Sequence, residues 1–173
     1  GAILKHASNV QGCANAIQSC FRNAGFPENI FKNISISGKN VNNVIRNPRI
    51  AAVTITGSTP VGRSVAKIAG DSLKKTVLEL GGSDPYLILE DADLDRAVYA
   101  CIDGRILNAG QSCISAKRII VIKKVYNQVL EKFKKILSTK IMGDPFDNVD
   151  IGPMVSKKAR DEVHDQVSRS FDA

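Results

Sequence analysis

Three short stretches of this chain carry side chains whose types and spacing could do chemistry. "NAGQSC", residues 108–113, is a glycine-centred turn that ends on Cys113. A thiolate attacks carbonyl carbon well, and backbone N–H groups in the adjoining turn can hold the oxyanion that results. "LELGG", residues 78–82, sets Glu79 between leucines near the end of an apolar run. Lost hydration there would raise the carboxyl pKa and suit the group to general-base work. The plainer reading is that Glu79 alternates out to solvent or pairs with a lysine. "GSTPVGRS", residues 57–64, follows one β-branched run and opens a helical pattern. Backbone N–H groups and the helix dipole bind phosphate at such a junction, and Ser58 and Thr59 could add hydroxyl donors.

Each stretch has a rival explanation. G-x-x-x-x-G-R-S mimics a nucleotide-hydrolase phosphate loop, and "YLILED" resembles the strand and acid that hold magnesium in such enzymes. Arg63 stands where that motif wants lysine, and a planar guanidinium does not replace a compact ammonium there. A strand-to-helix turn that simply needs small residues is the other alternative. Cys13, Cys20 and Cys101 fall on helical apolar stripes and are better core candidates than Cys113, which lies in a polar turn. No CxxC pair occurs, and with only His6 and His164 no metal site is expected. The thiols read as reduced and the protein as cytoplasmic. Asn33 matches a glycosylation acceptor by pattern only.

The bulk properties exclude several classes. A chain of 173 residues, 43% hydrophobic and 24% charged, can bury a core of its own. No apolar run is long enough to span a membrane, and the first ten residues lack the apolar stretch of a signal peptide. The formal net charge of +7 invites a nucleic-acid reading. The lysines concentrate in "VYNQVLEKFKKILSTK", however, where Val125, Val129, Phe133, Ile136 and Leu137 make an apolar stripe and the lysines lie off it. With aromatics at 5% and no aromatic-basic interleaving, no nucleic-acid partner is expected.

The elements that must position these residues alternate in type. Val10, Cys13, Ala14, Ile17 and Phe21 fit one helical face closed by Gly25 and Pro27. "NISIS" alternates like a strand, Val41, Val44 and Ile45 suggest a short helix, and "IAAVTIT" is rich in β-branched residues. Thr59 reads as an N-cap with Pro60 at the first helical position, and Val61, Val65 and Ile68 as that helix's buried stripe. "KTVLEL" and "PYLIL" read as strands, Asp93 as the cap of a helix through Ile102, "RIIVI" as a strand, and the stretch after Ser156 as a polar helix. Strand–helix alternation implies an α/β fold with parallel sheets and crossover helices. Gly81-Gly82 is the natural internal boundary.

"TITGSTPVG", "LELGG" and "NAGQSC", in this order and at this interval from Glu79 to Cys113, resemble the aldehyde dehydrogenase superfamily. "KHAS" near the start is similar to its cofactor-ribose strand end, and "GFPENIF", "GDP" and "GPM" to its connecting segments. The similarity runs over essentially the whole chain, and its tone is that of bacterial succinate-semialdehyde members. It implies a Rossmann-like NAD(P)-binding part, residues 1–81, joined to the first half of an α/β catalytic domain, residues 82–173. It implies that Cys113 attacks the aldehyde to give a thiohemiacetal, that hydride passes to the nicotinamide, and that Glu79 activates the water that releases the acid from the thioester. Gly57 and Ser58 would meet the cofactor pyrophosphate, Lys5 the adenine ribose, and Leu80 the nicotinamide amide through its backbone. The partner is a small aldehyde, and the parent enzyme is expected to be a homo-oligomer.

Three departures bear on those expectations. Family members are much longer, so the chain resembles an internal fragment, without the oxyanion asparagine or the rest of the catalytic domain, and little activity is expected of it alone. Ser8 sits where many NAD-specific members carry glutamate. A carboxylate there repels a 2′-phosphate, whereas serine beside Lys5 tolerates one, which points to NADP or dual use. Leu107 stands where succinate-semialdehyde members place an arginine for the substrate carboxylate, with Arg105 two residues earlier, so another short aliphatic aldehyde remains open. The alternatives to an enzyme part are a non-catalytic structural or interaction fragment and a phosphate-loop nucleotide hydrolase.

Overall fold

The structure is a computed structural model that describes residues 1–171. The chain divides into two compact units, Gly1–Glu79 and a second from Leu80 onward. Both are built from strand–helix–strand steps in which the paired strands run parallel.

In the first unit β1 (Ala2–Leu4) is followed by α1 (Gln11–Asn23) and pairs with β2 (Phe31–Asn33), Leu4 lying opposite Asn33. The strand expected over "NISIS" therefore ends where that stretch begins. β1 has three residues only, and after the Ile34 N–H donates to the Leu4 carbonyl the ladder has no further partner. A short helix α2 (Val41–Arg46) leads to β3 (Ala52–Thr56), and α3 (Thr59–Asp71) carries the chain back to β4 (Lys75–Glu79) beside β3. The cap of α3 falls on Ser58, one residue before the expected Thr59, with Pro60 in the first turn. The buried stripe of α3 is Gly62, Val65, Ile68 and Ala69, whereas Val61 is exposed. Val65 and Ile68 are buried as expected, and Gly62 and Ala69 take the remaining buried positions in place of Val61. Ile45, Val65, Ile68 and Ala69 form the core of the unit, and Val41, Val53 and Ile55 pack against it.

This core is small, and α1 shows the consequence. Only Ala14 of its expected apolar face is buried, while Val10 and Ile17 are exposed. Cys13 and Cys20, expected in the core, are exposed as well. The helix is held instead by Gln18 Oε1, which accepts from the Asn33 N–H at 2.6 Å, and by Phe21, whose ring stacks on Phe31 at 4.7 Å. Lys74 Nζ donates to the carbonyls of Ile45 and Asn47 at the end of α2, the second of which also accepts from the Ile50 N–H.

In the second unit β5 (Pro85–Ile88) and β6 (Arg118–Val121) pair in parallel, joined by α4 (Leu94–Ile106). Asp93 caps α4, and its Oδ1 accepts from the N–H groups of Asp95 and Arg96. α5 (Tyr126–Leu137) then packs its stripe on α4, and α6 (Lys157–Phe171) follows. Ile88, Val98, Cys101, Ile102, Val125 and Val129 are buried together, so Cys101 is the one thiol that fulfils its expected core role. The opposite face of the β5–β6 pair stays open: Leu87 and Ile120, opposite one another, are 66% and 49% exposed. No helix among the described residues is long and apolar enough to cross a membrane.

Candidate active site

The first unit brings together two of the expected residues. The register of β3 and β4 sets Thr56 opposite Glu79, and the Gly57 N–H donates to the Glu79 carbonyl at 3.0 Å. Glu79 thus ends its strand beside the turn that opens α3. Its side chain is exposed, so the desolvation expected from the flanking leucines is not supplied within this unit. In that turn Ser58 takes an extended conformation (φ −74°, ψ 152°), and its hydroxyl makes no capping bond to the helix. The first N–H groups of α3 and the Ser58 hydroxyl are therefore left for another acceptor, an arrangement that fits a phosphate. Arg63 and Ser64 lie inside α3 as exposed side chains rather than in the loop.

Lys5 and Ser8 follow β1 and are both exposed. Between them His6 Nδ1 donates to the Ala7 carbonyl at 2.7 Å, and its Nε2 is enclosed without a partner among the described residues. Leu80 begins the second unit and is half-buried.

Cys113 lies in the second unit, exposed, on a turn with unusual backbone geometry. After α4 the chain makes a short 3-10 segment, Leu107–Gly110, in which Asn108, Ala109 and Gly110 all have positive φ, at 52°, 54° and 74°. Glycine and asparagine tolerate the left-handed region, but alanine does so at a cost of about 1–2 kcal/mol. Side chains hold this turn from several sides. Arg105 Nη2 donates to the Gly110 carbonyl at 2.9 Å and Nη1 to the Ser115 carbonyl at 3.2 Å. Gln111 Nε2 donates to the Asn108 carbonyl at 2.9 Å, while its Oε1 accepts from the Val155 N–H at 2.9 Å. Lys117 Nζ reaches the Ser115 carbonyl at 3.1 Å. Beyond the thiol, Ser115 and Ala116 are buried and anchor the turn. A side chain at Gly82 would come within 3.3 Å of the Cys113 carbonyl, so a glycine lets the two backbones approach. Among the described residues the Cys113 N–H has no hydrogen-bond partner.

Sequence reasoning did not foresee the roles of Arg105, Gln111 and Lys117. Arg105 stood out only as a cation near the position of a substrate anchor, and here its guanidinium is engaged by two backbone carbonyls. The available signal was a long polar side chain in the last helical turn, followed by residues that need a left-handed conformation. Of the two acids that close "YLILED" in the phosphate-loop alternative, Glu90 is paired with Lys124 at 2.7 Å.

The chain is thus a parallel α/β protein with an exposed thiol on a left-handed turn in one unit and an uncapped helix N-terminus in the other. The chain belongs to the aldehyde dehydrogenase family, whose sequence model matches residues 1–173. It is 46% identical over 166 residues to the NADP+ succinate-semialdehyde dehydrogenase of Mycobacterium leprae (strain TN), an alignment that covers 95% of this chain and 36% of that protein. The succinic semialdehyde dehydrogenase of Streptococcus pyogenes, solved with NADP+, superposes with a TM-score of 0.93 at 39% identity, covering 98% of this chain and 38% of that one. Lactaldehyde dehydrogenase of Escherichia coli gives a TM-score of 0.93 at 29% identity, covering 98% and 36%. The chain thus spans little more than a third of the length of these relatives.

Proposed function

We propose that this chain carries the nucleophile and part of the cofactor site of an NAD(P)-dependent aldehyde dehydrogenase that acts on succinate semialdehyde or a similar short aliphatic aldehyde. The observation that carries the reading is Cys113, exposed at the head of a turn that is left-handed over three residues and braced by side chains. NADP or NAD, when bound, supplies a hydride acceptor. Cys113 Sγ, its proton released to solvent, bonds to the aldehyde carbon as the C=O π pair moves to oxygen, and that oxygen can take the Cys113 N–H as donor. Glu79 removes the proton of the water that releases the acid from the Cys113 thioester. Gly57, Ser58 and the α3 N-terminus hold the pyrophosphate, Lys5 and Ser8 the ribose end, and the Leu80 backbone the carboxamide. Residues 1–81 then act as the second half of the cofactor domain and residues 82–173 as the first half of the catalytic domain. Ser8 in place of a carboxylate favours NADP or dual use. The whole enzyme is a cytoplasmic homo-oligomer on this reading.

The open apolar face of β5–β6 supports a further point: residues 1–173 alone turn over little aldehyde, because side chains that should be covered meet water. Two measurements test the reading. Iodoacetamide should modify Cys113 before Cys13 and Cys20, and because all three are exposed, a preference reports reactivity rather than access. Equal labelling of the three favours the non-catalytic alternative. NADP-dependent oxidation of succinate semialdehyde by the purified 173-residue protein, at the rate of an intact enzyme, would overturn the expectation of low activity.

A further inference from the structure

One guanidinium grips the Cys113 turn on both flanks. The carbonyls that Arg105 binds belong to Gly110 and Ser115, one before the cysteine and one after it. Arg105 itself sits in the last turn of α4, whose buried Val98, Cys101 and Ile102 fasten it to the core. The segment it spans includes left-handed Ala109, a conformation that the chain does not favour by itself. Space has been kept for the contact: a Cβ on Gly110 would fall 2.7 Å from Arg105 Nη2 and 3.2 Å from the Arg105 carbonyl. Lys117 also reaches Ser115, but it does not bind the Gly110 side of the turn.

We propose that Arg105 is the positioning residue of the thiol, a planar fork that fixes residues 108–115 so that Cys113 Sγ and the Cys113 N–H keep one geometry toward a carbonyl. The proposal rests on the reading of Cys113 as nucleophile. Two acceptors in one fork suit a guanidinium, and a lysine would serve them less well. The same engagement removes Arg105 from service as an anchor for a substrate carboxylate.

The test uses the full chain, its Arg105→Met variant and its Arg105→Lys variant. Hydrogen exchange of peptides covering 107–116 reads the turn directly. Acylation by p-nitrophenyl acetate reads the chemistry: Cys113 Sγ attacks the ester carbonyl, p-nitrophenolate leaves, and the thiol proton goes to solvent. Alkylation by iodoacetamide is the control, because displacement at a saturated carbon creates no oxyanion. Charge-assisted bonds of this kind correspond to about a tenfold effect or more. Arg105→Met should speed exchange in 107–116 and slow Cys113 acylation by about that factor, leave alkylation within about twofold, and spare exchange in α3. Arg105→Lys should recover part of both losses, and it supplies the comparison if methionine loosens α4. Acylation of Arg105→Met at the wild-type rate overturns the proposal, as does an equal slowing of acylation and alkylation. Wild-type Cys113 that acylates no faster than exposed Cys13 instead overturns the nucleophile reading beneath it.

Discussion

Gly104, in the last turn of α4, offers the sharpest test of how the site is seated. A Cβ built there would lie well inside van der Waals contact with the Tyr86 hydroxyl and 3.4 Å from Cζ of the same ring. Tyr86 is on β5 and packs against the core of the second unit, so its ring has little freedom to retreat. Gly104→Ala gains about 1 kcal/mol of helix propensity. Overpacking against a rigid ring costs about 1–3 kcal/mol. The net is a loss of up to about 2 kcal/mol. In a Tyr86→Phe background the offending oxygen is gone and the nearest ring atom is at ordinary contact distance, which leaves the gain of about 1 kcal/mol. Urea unfolding of the four chains followed by far-UV circular dichroism gives the cycle, with a coupling of about 1–3 kcal/mol expected and the m-value unchanged. Equal stabilisation by Gly104→Ala in both backgrounds would refute the claim that glycine is there to admit the tyrosine.

Other outcomes follow from the same structure. Asp150 Oδ1 is 2.7 Å from Lys140 Nζ and its Oδ2 accepts from the Ile141 N–H, and these bonds, the lysine's first, hold its carboxyl below the usual carboxylate range. A depressed carboxylate pKa contributes stability above the unfolded value that is lost as pH falls through the folded one, so Asp150→Asn should flatten the acid limb of a stability–pH profile. Lys140 is raised, chiefly by the same bond, so its share is present below the ordinary lysine range and is lost only in strong alkali. Burial pushes the Cys101 thiol up, so in alkylation time courses Cys101 should be modified last of the four. Asp93→Ala should cost about 1 kcal/mol, because its carboxylate caps α4, whereas Ser58→Ala, which removes no cap bond, should leave stability nearly unchanged and weaken NADP binding by calorimetry. Ser8→Glu should shift the binding preference from NADP toward NAD; an unchanged preference sinks the reading of Ser8.

Much of this was legible because local rules and the fold agree. Asp93 before a helical pattern, β-branched "AVTIT", and the lysine-rich helix with Val125, Val129, Phe133 and Ile136 on the core all appear where their chemistry asks, although Leu137 of the expected stripe is exposed. The misreadings share a cause. Cys13, Cys20, Val10 and Ile17 make a proper apolar face, but periodicity shows only which side would be buried, not whether a neighbour exists to bury it. Val61 is exposed for the same reason, since the buried face of α3 runs through Gly62 rather than through it. At the site, the three motifs were readable as types in order. The brace around Cys113 was not, since Arg105, Gln111 and Lys117 act through backbone carbonyls, whose positions depend on the left-handed turn itself.

The pairing of strands has a bearing on synthesis as well as on shape. Ala2 pairs with Phe31, Ala52 with Lys75 and Pro85 with Arg118, so each strand pairing among the described residues spans a single crossover. Parallel sheets are ordinarily slow to form because their partners are remote. Here each pairing joins strands separated by one crossover, so the first unit can pair its strands without waiting for those of the second. Part of the brace of Cys113 is local in the same sense, since Arg105 precedes both carbonyls it binds, whereas the Gln111 bond to the Val155 N–H waits for a segment much further along the chain. On the reading of Cys113 as nucleophile, Arg105 constrains the thiol turn before its more distant contact forms, which shortens the time a nascent thiol spends loose.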